Sequence, residues 1–151
     1  MEKRRKNIRL SEQAYEIPVQ IFSITICTID RRPLFQNEVW SKTILSSLET
    51  GPFGENTERY AFCLMPDHLH LLLAPKKGNL IDLIHGWKGF TANLLRRNGL
   101  SDPCWQRGFY DHALRKEEEI QKVAEYIVNN PVRAGIVDDW TNYPFSWHRW
   151  M

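Results

Sequence analysis

Apolar residues along this chain switch between two spacings, and the switches divide it into elements. From Pro18 to Ile29 the run PVQIFSITICTI is rich in β-branched residues and alternates, with Phe22, Ile24 and Ile26 on one side and Ser23, Thr25 and Cys27 on the other. A period of two predicts a strand with one apolar and one small, partly polar face. Asp30-Arg31-Arg32-Pro33 breaks it. From about Asn37 to Glu49, Val39, Trp40, Ile44, Leu45 and Leu48 fall at helical spacing. Gly51 to Asn56 reads as a loop that ends that helix. Tyr60 to Met65 predicts a second strand, and Pro66-Asp67 turns it into a third, His68-Leu69-His70-Leu71-Leu72-Leu73, which Pro75 to Gly78 closes.

The second half repeats the logic. Leu80 to Arg97 carries an apolar stripe through Leu80, Leu83, Ile84, Trp87, Leu94 and Leu95, the pattern of a long amphipathic helix ended by Asn98-Gly99. Phe109 to Arg115 predicts a fourth strand. A third helix starts near Lys116 or Glu117 and must stop by Asn130, because Pro131 disfavours helix in the residue before it. Val132 to Met151, with three tryptophans, reads as an aromatic tail packing across the domain. Strand, helix, strand, strand, helix, strand is the β-α-β-β-α-β order of the ferredoxin-like fold, an α+β antiparallel sheet, here with an additional helix and the tail.

At 151 residues the chain suits one domain, 1–151, with residues 1–17 as a basic arm. A net charge of +2 says little about partners, but its distribution says more. Within residues 1–10, Lys3, Arg4, Arg5, Lys6 and Arg9 stand against Glu2, and seven Lys/Arg between residues 76 and 115 stand against Asp82, Asp102 and Asp111. Each region sums to +4, which is compatible with a polyanion lying across part of the surface and equally with solvated faces. Three cysteines, 27, 63 and 104, make no disulfide framework and fit a reducing cytoplasm. The arm has no apolar core of a signal peptide, and no apolar run approaches a membrane span.

Candidate chemistry gathers at two places. His68 and His70 project from the same strand face, while Leu69, Leu71 and Leu73 project from the other, so both imidazoles can reach one metal ion. On the third helix, Ile120, Val123, Ala124, Ile127 and Val128 cluster on one face at about 100° per residue, and Tyr126 falls roughly 130° from its middle. Tyr126 shares a stripe with Lys122 and Asn130, four residues to either side. A tyrosine oxygen can attack phosphorus while a metal stabilises the developing charge. With an ordinary pKa of about 10, that oxygen needs help from the metal or from a cation such as Lys122. Asn130 puts an amide on that stripe, at a place where a helix end favours Asn as a cap.

His68-Leu69-His70 matches the His-hydrophobic-His motif of the single-tyrosine transposases, the HUH type. Tyr126-Ile127-Val128-Asn129-Asn130-Pro131-Val132-Arg133-Ala134-Gly135 resembles the tyrosine-helix signature of their REP-associated branch, the REP-associated tyrosine transposases. Trp105-Gln106-Arg107-Gly108-Phe109-Tyr110-Asp111-His112, Leu114-Arg115 and Tyr143-Pro144 resemble the same branch, and the likeness runs from about residue 18 to 146. The resemblance implies a metal-dependent enzyme that cuts single-stranded DNA beside a hairpin, forms a 5′-phosphotyrosine link, releases a 3′-hydroxyl and rejoins strands. By this resemblance Tyr126 is the nucleophile, and His68 and His70 with Asn130 hold a divalent ion, Mg2+ or Mn2+. The partner is single-stranded DNA with hairpins formed by repetitive extragenic palindromes, and the location is cytoplasmic. Lys88, Arg96, Arg97, Lys122, Arg5 and Arg9 are the candidates for DNA phosphates. Monomer and dimer both remain open. The rival reading is a non-catalytic module that binds single-stranded nucleic acid on a ferredoxin-like sheet, as RNA-recognition domains do.

Overall fold

The computed structural model describes residues 4–5, 20–115 and 117–150. Strands β1 (Arg4–Arg5), β2 (Ile21–Cys27), β3 (Thr57–Met65), β4 (His68–Pro75), β5 (Tyr110–Leu114) and β6 (Ser146–His148) form one sheet in the order β1-β5-β2-β4-β3-β6. Every neighbouring pair is antiparallel. Helix α1 (Glu38–Ser47) and the short α2 (Gly51–Asn56) connect β2 to β3, and α3 (Leu80–Arg97) connects β4 to β5. The inner four strands and these crossovers are the expected ferredoxin-like arrangement. After β5 come α4 (Glu117–Val128) and the one-turn α5 (Asn130–Arg133).

Alternation along β4 divides the molecule into two cores. Leu69, Leu71 and Leu73 are fully buried with Phe22, Ile24 and Ile26, packed against Ile44 and Leu48 near α1 and Ile84 and Trp87 of α3. Leu72 points the other way, into a second cluster with Ile21, Ala61, Cys63, Met65 and Leu114, covered by Ala124 and Ile127 of α4. Helices α1 to α3 therefore cover one face of the sheet, and α4 covers part of the other. The long helices begin where side chains satisfy their first amides: the Asn37 side chain accepts from Trp40 N, and the Asn79 side chain accepts from Asp82 N.

Three expectations change. Gly51 to Asn56 is helical rather than a loop, because Pro52 falls in the first turn, where its missing N–H is harmless. A Cβ at Gly54 would lie 2.4 Å from the carbonyl carbon of Glu49, so this tight connection needs glycine. The aromatic tail does pack across the domain, but through a strand: β6 extends the sheet beside Ala61–Cys63 of β3. Finally, Pro131 does more than stop a helix. Helix α4 ends at Val128, and Pro131 sits in the first turn of α5, which re-aims the chain. No helix among the described residues is long and apolar enough to cross a membrane.

Candidate active site

Strand β4 leaves its turn with both histidines on the face opposite the first core. The turn is held by the segment after β2: Thr28 donates from N and from Oγ1 to the Asp67 carbonyl at 3.0 and 3.1 Å, and Phe35 N donates to the Pro66 carbonyl at 3.0 Å. Asp67 Oδ1 accepts from His68 Nδ1 at 2.7 Å. Its Oδ2 accepts from Arg31 Nε at 3.0 Å. Burial raises the Asp67 carboxyl, but the bonds from His68 and Arg31 outweigh it and hold the group below the ordinary aspartate value. Burial pushes His68 below the ordinary imidazole value despite Asp67, which favours the neutral ring. On β2, Thr25 pairs with His70, its Oγ1 lying 3.1 Å from His70 Nδ1.

With each Nδ1 engaged, the two Nε2 atoms converge to 3.1 Å. In one tautomer His70 Nε2–H donates to His68 Nε2 and the Thr25 hydroxyl donates to His70 Nδ1. In the other, His70 Nδ1–H donates to Thr25, and both Nε2 lone pairs face the same point. Two nitrogens about 2.1 Å from one ion, at right angles, stand about 3.0 Å apart. The second arrangement thus fits a shared divalent ion, with a carboxylate behind His68 and a hydroxyl behind His70. Among the described residues no cluster of three or more His, Cys, Asp or Glu side chains could complete it. Cys63, opposite His70 on β3, is no thiolate, because burial pushes its thiol up to about 11.

These histidines open onto a cavity of about 320 Å³ whose floor is Ser23, Thr25 and Cys27 of β2. Its far wall is Tyr126 of α4 with Asn130 and Arg133 of α5, and Tyr110, Asp111 and Arg31 complete the rim. Tyr126 is 64% exposed, as its distance from the apolar face of α4 requires. The Arg133 guanidinium lies over its ring, 3.6 Å from the centroid. The capping role open to Asn130 falls to its neighbour: Asn129 donates from Nδ2 and from N to the Glu125 carbonyl at 2.8 and 3.1 Å. Asn130 instead starts α5 and lines the cavity.

The cations expected to contact DNA are not gathered there. Lys88 turns its Nζ inward, to the carbonyls of Gln106 and Gly108 at 2.8 Å each. Arg96 and Arg97 are exposed at the end of α3, on the helix layer across the sheet from Tyr126. Lys122 is exposed on α4 and does not line the cavity. Only the backbone of Arg5 is described, in β1, and Arg9 lies outside the described residues. The cavity has two arginines that sequence reasoning passed over. Arg133 follows Tyr126 by seven residues, at the same helical stripe as Asn130, and that spacing was a usable signal. Arg31 had none, since its partner Asp67 is 36 residues away. Arg31 and the preceding Asp30 hold φ of +54° and +52°, a left-handed conformation that costs about 1–2 kcal/mol for a non-glycine residue.

Comparison with known proteins shows the family and the fold. The chain is 30% identical to a REP-associated tyrosine transposase of Escherichia coli over 115 residues, 76% of this chain and 66% of that protein. A provisionally named REP-associated tyrosine transposase of Haemophilus influenzae is also 30% identical, over 105 residues, 61% of this chain and 60% of that protein. The alignments thus span three-fifths to two-thirds of the length of these relatives. A solved structure of a REP-associated tyrosine transposase bound to a REP hairpin superposes with a TM-score of 0.68 at 23% identity, covering 93% of this chain and 81% of that one. The model of the IS200-like transposase family matches residues 18–130, a span that takes in β2 and runs to Asn130, four residues after the tyrosine, and the chain belongs to that family.

Proposed function

We propose that this protein is a metal-dependent endonuclease and strand transferase that cuts single-stranded DNA next to hairpins through Tyr126. The observation that carries this reading is the shared cavity: a tyrosine hydroxyl, two convergent imidazoles and an amide face one space. In the proposed step, Tyr126 Oη attacks phosphorus and the P–O3′ bond breaks. The tyrosine proton goes to solvent, and the departing O3′ takes one up, leaving a 3′-hydroxyl and a 5′-phosphotyrosine. Reversal, with a 3′-hydroxyl attacking the phosphotyrosine, rejoins strands with no external energy source. His68, His70 and Asn130 would hold the divalent ion, Mg2+ or Mn2+, which when bound supplies Lewis-acid stabilisation of charge on the phosphate. Asp67 and Thr25 fix the two rings, and Arg133 holds the ring of Tyr126. The relatives named as REP-associated transposases, one of them bound to a REP hairpin, support a hairpin substrate.

A purely binding module of the RNA-recognition type stacks bases on an open sheet face. Here α4 covers part of that face, which counts against this alternative. The test is incubation with labelled stem-loop oligonucleotides carrying randomised single-stranded flanks. The unmodified protein should form a denaturant-resistant adduct in Mn2+. Tyr126→Phe should form none while it still folds and binds the same DNA. An adduct from the Phe variant would overturn the assignment of the nucleophile.

A further inference from the structure

Two guanidiniums line the cavity, one from the loop after β2 and one from α5, and the cleavage chemistry alone gives Arg31 no contact with DNA. We infer that Arg31 and Arg133 form a clamp for the phosphate that Tyr126 attacks; this rests on the strand-cutting reading of the same cavity.

Arg133 stacks the face of its guanidinium on the tyrosine ring, 3.6 Å from the centroid. The N–H donors of a guanidinium lie in its plane, so stacking leaves them directed sideways, beside the ring, where an oxygen of a phosphate approaching the hydroxyl would sit. Arg31 approaches from the loop after β2. Its Nε donates to Asp67, and among the described residues its terminal nitrogens make no hydrogen bond. The neighbouring Arg32 does something different: it pairs with Asp102 at 2.7 Å and does not line the cavity. What separates the two arginines is the left-handed backbone at Asp30 and Arg31, adopted without a glycine. A sterically unfavourable turn is retained here, and it brings Arg31 to the cavity rim. Asp67 is the carboxylate paired with Arg31, and it offsets one of these two cations. The pair offers a phosphate directed donors from two separate elements, the loop after β2 and α5.

The test uses the Tyr126→Phe protein, which retains the ring beneath Arg133, and a fluorescent stem-loop oligonucleotide with single-stranded flanks. Binding is followed by anisotropy across a range of KCl concentrations. Arg31→Gln and Arg133→Gln should each make the plot of log affinity against log salt shallower by about 0.7, the loss of one phosphate contact on a single strand. Neutral methylphosphonates are then placed one at a time along the flanks. At one phosphate, the same for both arginines, the glutamine substitutions should change the slope no further. In the unmodified protein that phosphate should be the one cut. Arg133→Lys should restore the slope. A merely structural role would weaken binding equally on every oligonucleotide. Unchanged slopes, or different phosphates for the two arginines, overturn the clamp. Failure of the unmodified protein to cut any oligonucleotide instead overturns the strand-cutting reading, while the slopes still decide whether the arginines share a phosphate.

Discussion

Asp67 divides its oxygens between Arg31 and His68, so one carboxylate sets the direction of a guanidinium and of an imidazole. Asp67→Asn keeps the shape but removes the charge behind His68. Such outer partners typically matter 10–100-fold for metal affinity, and Mn2+ affinity, read by electron paramagnetic resonance titration, should fall by about that factor. His68→Ala or His70→Ala should abolish cleavage, as chelator should in the unmodified protein; full activity with no metal present would remove the proposed ion. The same carboxylate carries a pH dependence. Its folded pKa lies below its ordinary value, so the unfolded state binds the proton first, and the stabilisation is present above about pH 4. It is lost as pH falls through the folded value. The stability difference between unmodified and Asp67→Asn protein should therefore shrink between about pH 5 and pH 2, measured by urea unfolding. His68, His70 and Tyr126 were legible in the sequence because period two and period 3.6 fix which way a side chain faces. Arg31 was not, because a left-handed turn and a partner across the sheet leave no periodic trace.

At the scale of elements, the break between α4 and α5 decides what Tyr126 meets. Asn129 ties off the end of α4, and Pro131 restarts the chain as α5, so Asn130 and Arg133 face the same cavity as the tyrosine. Each of the four inner strands was visible in the sequence, β2 most plainly, since its large apolar residues alternate with small, partly polar ones. Helix α2 was hidden by its two glycines and proline, residues that punctuate loops more often than they start helices. Strand β6 was hidden for another reason: three residues are too few to show alternation, and only the partner strand defines them. That strand is preceded by an anchor, the Tyr143 hydroxyl, which donates to the Leu64 carbonyl at 2.6 Å. Tyr143→Phe keeps the ring but leaves that carbonyl without this donor, so stability should fall by about 1 kcal/mol, within the usual 0.5–1.5 for one such bond. A lower urea midpoint with an unchanged slope would show it; an unchanged midpoint would show that the tail holds without the hydroxyl.

Seen whole, the molecule packs helices α1 to α3 on one side of its sheet and sets the candidate chemistry beside a smaller core on the other. Helices α1 to α3 fill the first side, and Arg96 and Arg97 lie there, far from the reacting groups. On the proposed reading, Arg96→Gln with Arg97→Gln should leave the cutting rate near that of the unmodified protein. The cavity on the other side, about 320 Å³, equals roughly ten water volumes of 30 Å³. That is room for a phosphate with its sugar. A duplex stacks and pairs its bases, and no element among the described residues offers a groove-reading helix or a motor to open one. A strand leaving a hairpin presents unpaired bases and a flexible phosphate that Tyr126 can approach in line. Cleavage should therefore fall on single strands flanking a hairpin, with little cutting of the same sequence in uninterrupted duplex. Binding should weaken as salt rises, because phosphate contacts release counterions, while the preference for the hairpin should persist because it depends on shape. One labelled sequence in three forms decides the point: hairpin with flank, unstructured strand and full duplex. Equal cutting of all three, or faster cutting of the duplex, would leave a general nuclease in place of a hairpin-directed strand transferase.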